Sequence, residues 1–264
     1  MGNPADTFRD APTPTTLATK QPIGWLRFLL QFLSVVMAYL AGSTLPMLPA
    51  LIAQVANGAE APQLTSAIAA ATAIVGMALA LGVCWLWLRG EGRVREVFDL
   101  SAPNWRSAIA YAAIATAGTL AIFSFGTALV QAMGLPAPDP SFVLELVTES
   151  PAMFALWVIG VAWFAAGFGE ELLWRGFLMD RLERLGGLRG RVWLVLVVQA
   201  VLFGMPHAYQ GWGGVIVTGM VGLLLGWVRI MQRGNLWAVI IAHAAVDTIM
   251  MVLAYGGKLG WFVV

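Results

Sequence analysis

An all-α, polytopic transmembrane helical bundle is the fold class this sequence predicts, and three observations carry that prediction. Of the 264 residues, 59% are hydrophobic and only 11% are charged, where a soluble domain carries roughly 25% charged residues. Several apolar runs reach the roughly 20 residues that a helix needs to cross a hydrocarbon core. The 12 tryptophans suit a chain with two membrane–water interfaces to populate.

Read in order, the chain opens with a polar, Pro- and Thr-rich tail over 1–22 that cannot bury a face and is expected to be disordered. It does not read as a signal peptide: the first apolar run is long enough to remain as an anchor and is followed by no small-residue cleavage pattern. Gly2 is not followed by the Ser or Thr of a myristoylation signal, since Asp6 stands there, and the C-terminus has no prenylatable Cys. Apolar runs then predict about seven spans, at 25–42, 65–88, 107–135, 152–181, 192–207, 214–230 and 236–255. Segment 45–55, broken by Pro46 and Pro49, is too short to span and reads as an interfacial or re-entrant piece, with an eighth crossing as the alternative. The resulting organisation is a set of N-terminal transmembrane helices over 23–135 and a four-helix core over 150–256.

Basic residues test the count, because Lys and Arg accumulate in cytoplasmic loops. Lys20 and Arg27 flank the first span; Arg89, Arg93, Arg95 and Arg106 follow the second; Arg181, Arg184, Arg189 and Arg191 follow the fourth; Arg229 and Arg233 follow the sixth. The loops between, 43–64, 136–151 and 208–213, contain no Lys or Arg. This alternation predicts a cytoplasmic N-terminus, and only Lys258 falls on the other side. A net charge of +1 supplies no basic face for phosphates, so nucleic acid is not an expected partner. A single cysteine, Cys84, rules out an intrachain disulfide or a CxxC site.

The informative residues are the ionisable ones set among apolar neighbours, where a charge costs at least ~2.5–3.5 kcal/mol on insertion scales. Glu170, Glu171 and Arg175 stand in one span, His207 ends the next, and His243 and Asp247 stand in the last. Glu171 and Arg175 are four residues apart, as are His243 and Asp247, so each pair shares a helix face. Glu170 is rotated by about 100° from Glu171 in an α-helix, which predicts that Glu171 pairs with Arg175 while Glu170 points at the histidines. At ~1.5 Å per residue, Glu170 lies roughly 16–21 Å from the basic edge if its helix runs on to Arg181–Arg184, His207 about 24 Å, and His243 and Asp247 about 13 and 20 Å. These levels overlap. A carboxylate that deprotonates water, a histidine that positions it and donors for an oxyanion are the parts needed to hydrolyse an amide. The same residues could instead ligate Zn²⁺ and sharpen a bound water. No HExxH is present, which excludes a zincin helix.

Written as EExxxR (Glu170, Glu171, Arg175), FxxxH (Phe203, His207) and HxxxD (His243, Asp247), the chain resembles the CPBP intramembrane protease family. These are bacterial and archaeal relatives of the eukaryotic CaaX prenyl endopeptidase, also called the ABI family. The resemblance covers roughly 150–256. It implies that Glu170 and His207 activate the attacking water, that His243 and Asp247 stabilise the oxyanion, and that Glu171 with Arg175 supports the site. A carboxylate can donate to an oxyanion only when protonated, so Asp247 is protonated, orients His243, or binds a metal. Zinc is the cofactor implied in that last case, with Glu170, His207, His243 and Asp247 as its candidate ligands.

The bland readings make Glu171–Arg175 a structural ion pair, Phe203 a packing neighbour of His207, Trp163 and Trp174 packing or lipid-facing residues, and Gly167, Gly169 and Gly204 sites of close helix approach. The function expected from the whole is an intramembrane endopeptidase in a bacterial inner membrane, acting on a peptide or membrane-associated protein. Buried Glu, His and Asp also build proton relays, so a proton-coupled transporter is the alternative, as is a non-catalytic scaffold or immunity protein.

Overall fold

The computed structural model describes residues 21–58 and 64–261, and nearly all of them are helical. The order is α1 (Trp25–Thr44), a 3-10 turn (Leu45–Met47), α2 (Leu48–Asn57), α3 (Ser66–Gly90), α4 (Val94–Val97), α5 (Trp105–Ala132), α6 (Ser141–Val147) and α7 (Pro151–Leu156), then a π-helical segment (Trp157–Leu178), α8 (Met179–Arg184), α9 (Val192–Gly204), a 3-10 turn (Met205–Gln210), α10 (Gly211–Met231) and α11 (Trp237–Lys258). Of the tail expected to be disordered, 1–20 lies outside the described residues.

Among the described residues, 6 helical segments are long and apolar enough to cross a membrane, and the protein is an integral membrane protein. The difference from about seven has a structural reason. The segment Val192–Met231 is not straight: α9 and α10 double back on each other at Gly211, whose φ is +79°. Gly204 makes this possible, because a Cβ there would meet the Val215 carbonyl oxygen at 2.4 Å. The two predicted spans over 192–230 are thus the two arms of one hairpin, and α9, with 13 residues, is only about 20 Å long. Segment 45–55 departs from the re-entrant alternative. Backbone angles at Leu45 and Leu48 stay right-handed helical, so this stretch extends the first helix instead of turning back into the bundle.

A core of small and branched residues from α5 (Ala108, Ala112, Ala115), α10 (Val221, Leu225) and α11 (Val239, Ala242) holds the C-terminal helices together. The π segment lies between α3 and α11 because two glycines let it approach: a Cβ on Gly167 would stand 2.6 Å from the Ala244 Cβ, and one on Gly169 2.3 Å from the Met77 Cγ. Its i→i+5 hydrogen bonding widens the turn, so successive side chains diverge by less than the α-helical step of about 100°.

The basic loops gather at one end of the bundle around two acids. Glu91 Oε2 accepts from Arg181 at 2.7 Å and Arg184 at 2.9 Å, while its Oε1 accepts from Arg27 at 2.8 Å and Gln31 at 3.2 Å. Asp180 accepts from both terminal nitrogens of Arg93, at 2.9 and 2.7 Å. The Arg184 Nε donates to the Gln21 carbonyl at 2.8 Å, and Ile23 bridges to Leu185, so residues 21–23 are clamped to the end of α8. Burial alone would push the Glu91 carboxyl up, but the hydrogen bonds and charges of Arg184 and Arg181 outweigh it and hold the pKa below its ordinary 4.5. A carboxylate whose folded pKa is depressed stabilises the fold above its unfolded value and loses that contribution as pH falls through the folded one. Thermal melting in detergent is therefore expected to show a midpoint that is flat above pH ~4.5 and falls below it. Glu91→Gln lowers stability at pH 7 by about 3 kcal/mol, because Arg181 loses a buried partner, and flattens the acid limb. A Glu91→Gln protein that melts like wild type at both pH values would overturn this.

Candidate active site

Three elements deliver the polar residues to one place: the π segment brings Glu170, Glu171 and Arg175, the end of α9 and its 3-10 turn bring Phe203 and His207, and α11 brings His243 and Asp247. Glu171 is fully buried and is the centre of the arrangement. Its Oε1 accepts from Arg175 Nη1 at 2.8 Å and pairs with His243 Nδ1 at 2.7 Å. An ionised carboxylate only accepts, so His243 places its Nδ1–H there. The His243 Nε2 faces Asp247 Oδ2 at 3.8 Å, within reach of attraction but too long for a hydrogen bond.

Arg175 is also fully buried. Its guanidinium carbon stands 4.0 Å from the centre of the Phe203 ring, which gives the cation a π-face where its Nε and Nη2 have no hydrogen-bond partner. Phe203 is edge-on to Trp174 at 5.8 Å and to His243 at 6.2 Å, and lies 5.5 Å from His207. It therefore supports the whole cluster, a wider role than a packing neighbour of His207. Trp174 packs on this ring, whereas Trp163, which is exposed, donates its indole N–H to Thr248 Oγ1 at 3.1 Å.

The Nδ1 of His207 lies 3.2 Å from the Phe203 carbonyl. A carbonyl accepts, so Nδ1 carries the proton and Nε2 of the neutral ring keeps its lone pair. Glu170 makes no hydrogen bond to the described residues; it lines a cavity of about 290 Å³ together with His207, Trp174, Phe203, Met77 and Tyr39. The two glutamates do face different surroundings, but the division differs from the one predicted. Glu170 shares a cavity with His207, while His243 is held by Glu171, which thus serves a second partner beside Arg175. The widened turn of the π segment is the reason, since it lets adjacent residues reach neighbouring sectors of the same polar core.

Among the described residues, no three His, Cys, Asp or Glu side chains group closely enough to hold a metal ion. His243 already faces one carboxylate on each nitrogen. The donor set as arranged does not fit the three protein ligands of a catalytic zinc, and the chemistry below is derived from the side chains themselves.

What the fold and this cluster define is a polytopic helical membrane protein with a carboxylate–histidine site buried among its spans. Residues 152–249 match the family model described as Rce1-like, type II CAAX prenyl endopeptidase, a match that supports the resemblance to the CPBP, or CAAX-protease, family over that segment. All six polar residues of the cluster fall inside the match. No curated protein and no solved structure matches the chain.

Sequence reasoning passed over Tyr39 of α1. A lone aromatic in an apolar span carries no signal that separates a cavity wall from ordinary packing.

Proposed function

We propose that this protein is an intramembrane endopeptidase that hydrolyses a peptide bond in a peptide or a membrane-associated protein by water activated between Glu170 and His207. The observation that carries the reading is the shared cavity: Glu170, with no hydrogen-bond partner among the described residues, and His207, with Nε2 left open by the Nδ1 contact to Phe203, line one apolar space. A carboxylate in such a space is available as a general base.

In the proposed reaction, Glu170 takes a proton from water while His207 Nε2 accepts a hydrogen bond from it and orients its lone pair. The water oxygen attacks the scissile carbonyl carbon. His243, protonated on both nitrogens, keeps Nδ1–H on Glu171 and offers Nε2–H to the oxyanion; the 3.8 Å gap to Asp247 leaves that hydrogen unspent. A protonated Asp247 is a second donor, and an ionised one orients the imidazolium. When the C–N bond breaks, the proton held by Glu170 passes to the departing amine, which leaves a carboxylic acid and an amine as products. Residues 150–256 form the catalytic core, and 23–135 pack around it. The collection of arginines at one end of the bundle favours a cytoplasmic N-terminus, and a bacterial inner membrane is the proposed setting.

The test is cleavage by purified protein in detergent or nanodiscs of an internally quenched peptide with apolar residues around one scissile bond, with and without an S-farnesyl cysteine near its C-terminus. Wild type is expected to cleave at least one form, and His207→Ala to lose about 10²–10⁴-fold in rate, the usual size of a general acid–base contribution. Equal rates for wild type and His207→Ala would sink the mechanism.

A further inference from the structure

The cavity that holds Glu170 and His207 is not built by the family-matched segment alone. Phe32, Val35, Val36, Tyr39 and Leu40 of α1 form one wall, and α1 lies outside the matched residues 152–249. Tyr39 is the one polar side chain in that wall. Its position follows from a close crossing of α1 and α3. A Cβ on Gly42 would stand 2.8 Å from the Gly76 Cα, and one on Gly76 would stand 3.3 Å from Tyr39 Cε2. With neither Cβ present, the two helices cross closely and the Tyr39 side chain lines the same cavity as Glu170 and His207. Ser43, one turn on, is the polar neighbour of the Tyr39 hydroxyl and spends its single Oγ–H on the Thr72 carbonyl at 3.2 Å, so toward the phenol it can only accept. The phenol oxygen keeps its lone pairs as acceptors for a ligand N–H in the cavity, which is otherwise lined on this side by hydrocarbon.

A peptide bond entering such a space brings one N–H and one C=O that lose their water, and each needs a partner there. Glu170, His207 and His243 are engaged with the attacking water and the oxyanion. We infer that Tyr39 is a substrate-binding residue, its hydroxyl hydrogen-bonding the main chain of the peptide beside the scissile bond and holding it against Glu170 and His207. This inference rests on the endopeptidase reading. Under it, substrate selection is shared between the family segment and a helix that the family match does not reach.

The experiment compares wild type, Tyr39→Phe and Leu33→Ala, a control on the exposed face of α1, in the same quenched-peptide assay. It also measures binding of the fluorescent peptide to each variant combined with Glu170→Gln, which keeps the cavity's shape. Tyr39→Phe preserves the ring on Gly76 and removes only the hydroxyl. It is expected to raise KM and the dissociation constant together by about 5–10-fold, the size of one lost hydrogen bond, with kcat and melting temperature near wild type. Leu33→Ala is expected to change neither constant. Unchanged KM and binding in Tyr39→Phe would overturn the inference while leaving the endopeptidase reading intact. If wild type does not cleave but the peptide still binds more weakly to Tyr39→Phe, the binding role stands and the catalytic reading fails.

Discussion

Glu170→Gln is expected to leave the protein folded and to reduce peptide cleavage by about 10²–10⁴-fold. Both halves of that result follow from the surroundings of the residue. Glu170 makes no hydrogen bond to the described residues and faces the cavity, so the isosteric amide breaks no internal contact and the melting temperature stays near wild type. What is lost is the only function a carboxylate has there under the proposed mechanism, acceptance of a proton from water, which an amide cannot perform at neutral pH. Single-turnover cleavage of the quenched peptide measures the effect. A variant that cuts within tenfold of wild type would remove Glu170 from the role of base.

The neighbouring glutamate is expected to behave in the opposite way. Glu171 holds Arg175 at 2.8 Å and His243 at 2.7 Å with no exposed side-chain surface. Glu171→Gln strands the Arg175 guanidinium in the protein interior, which costs about 3–5 kcal/mol when one member of a buried pair is removed. The melting temperature in detergent falls, and activity falls with it because His243 loses the acceptor that fixes its ring. The double variant Glu171→Leu, Arg175→Met separates these effects. Replacing both charges by apolar groups of similar size is often neutral for stability, so the double variant recovers most of the melting temperature. It does not recover cleavage, because His243 still lacks its partner. Recovery of both, or of neither, would contradict the division of labour between Glu171's two contacts.

Much of this was readable from the chain. Apolar runs located the membrane helices because crossing a hydrocarbon core demands about 20 residues without charge, a requirement that is local and additive. The polar residues inside those runs marked the candidate site for the same reason: a buried charge is expensive, so those that persist point to function or to a partner. The pairing of Glu171 with Arg175 follows from spacing on one helix, and the structure contains it. The fold of 192–231 was legible as two arms, although a glycine contact and a positive φ were needed to see why they close into one hairpin.

Other features depend on contacts between segments far apart in sequence. Nothing in the local sequence tells that Glu171 reaches across to His243, 72 residues away, since that requires Gly167 to bring α11 against the π segment. Phe203 touches Arg175, Trp174 and both histidines only because the π segment, α9 and α11 meet around its ring. Nor does sequence place Tyr39 beside Glu170, which depends on the α1–α3 crossing at Gly42 and Gly76. Sequence by itself therefore determined that this chain lives in a membrane and which ionisable residues lie inside its spans. Tertiary structure alone decided which glutamate holds a histidine and which faces the cavity, because side-chain partners across helices are set by how closely backbones approach, a property of pairs of segments and not of either one.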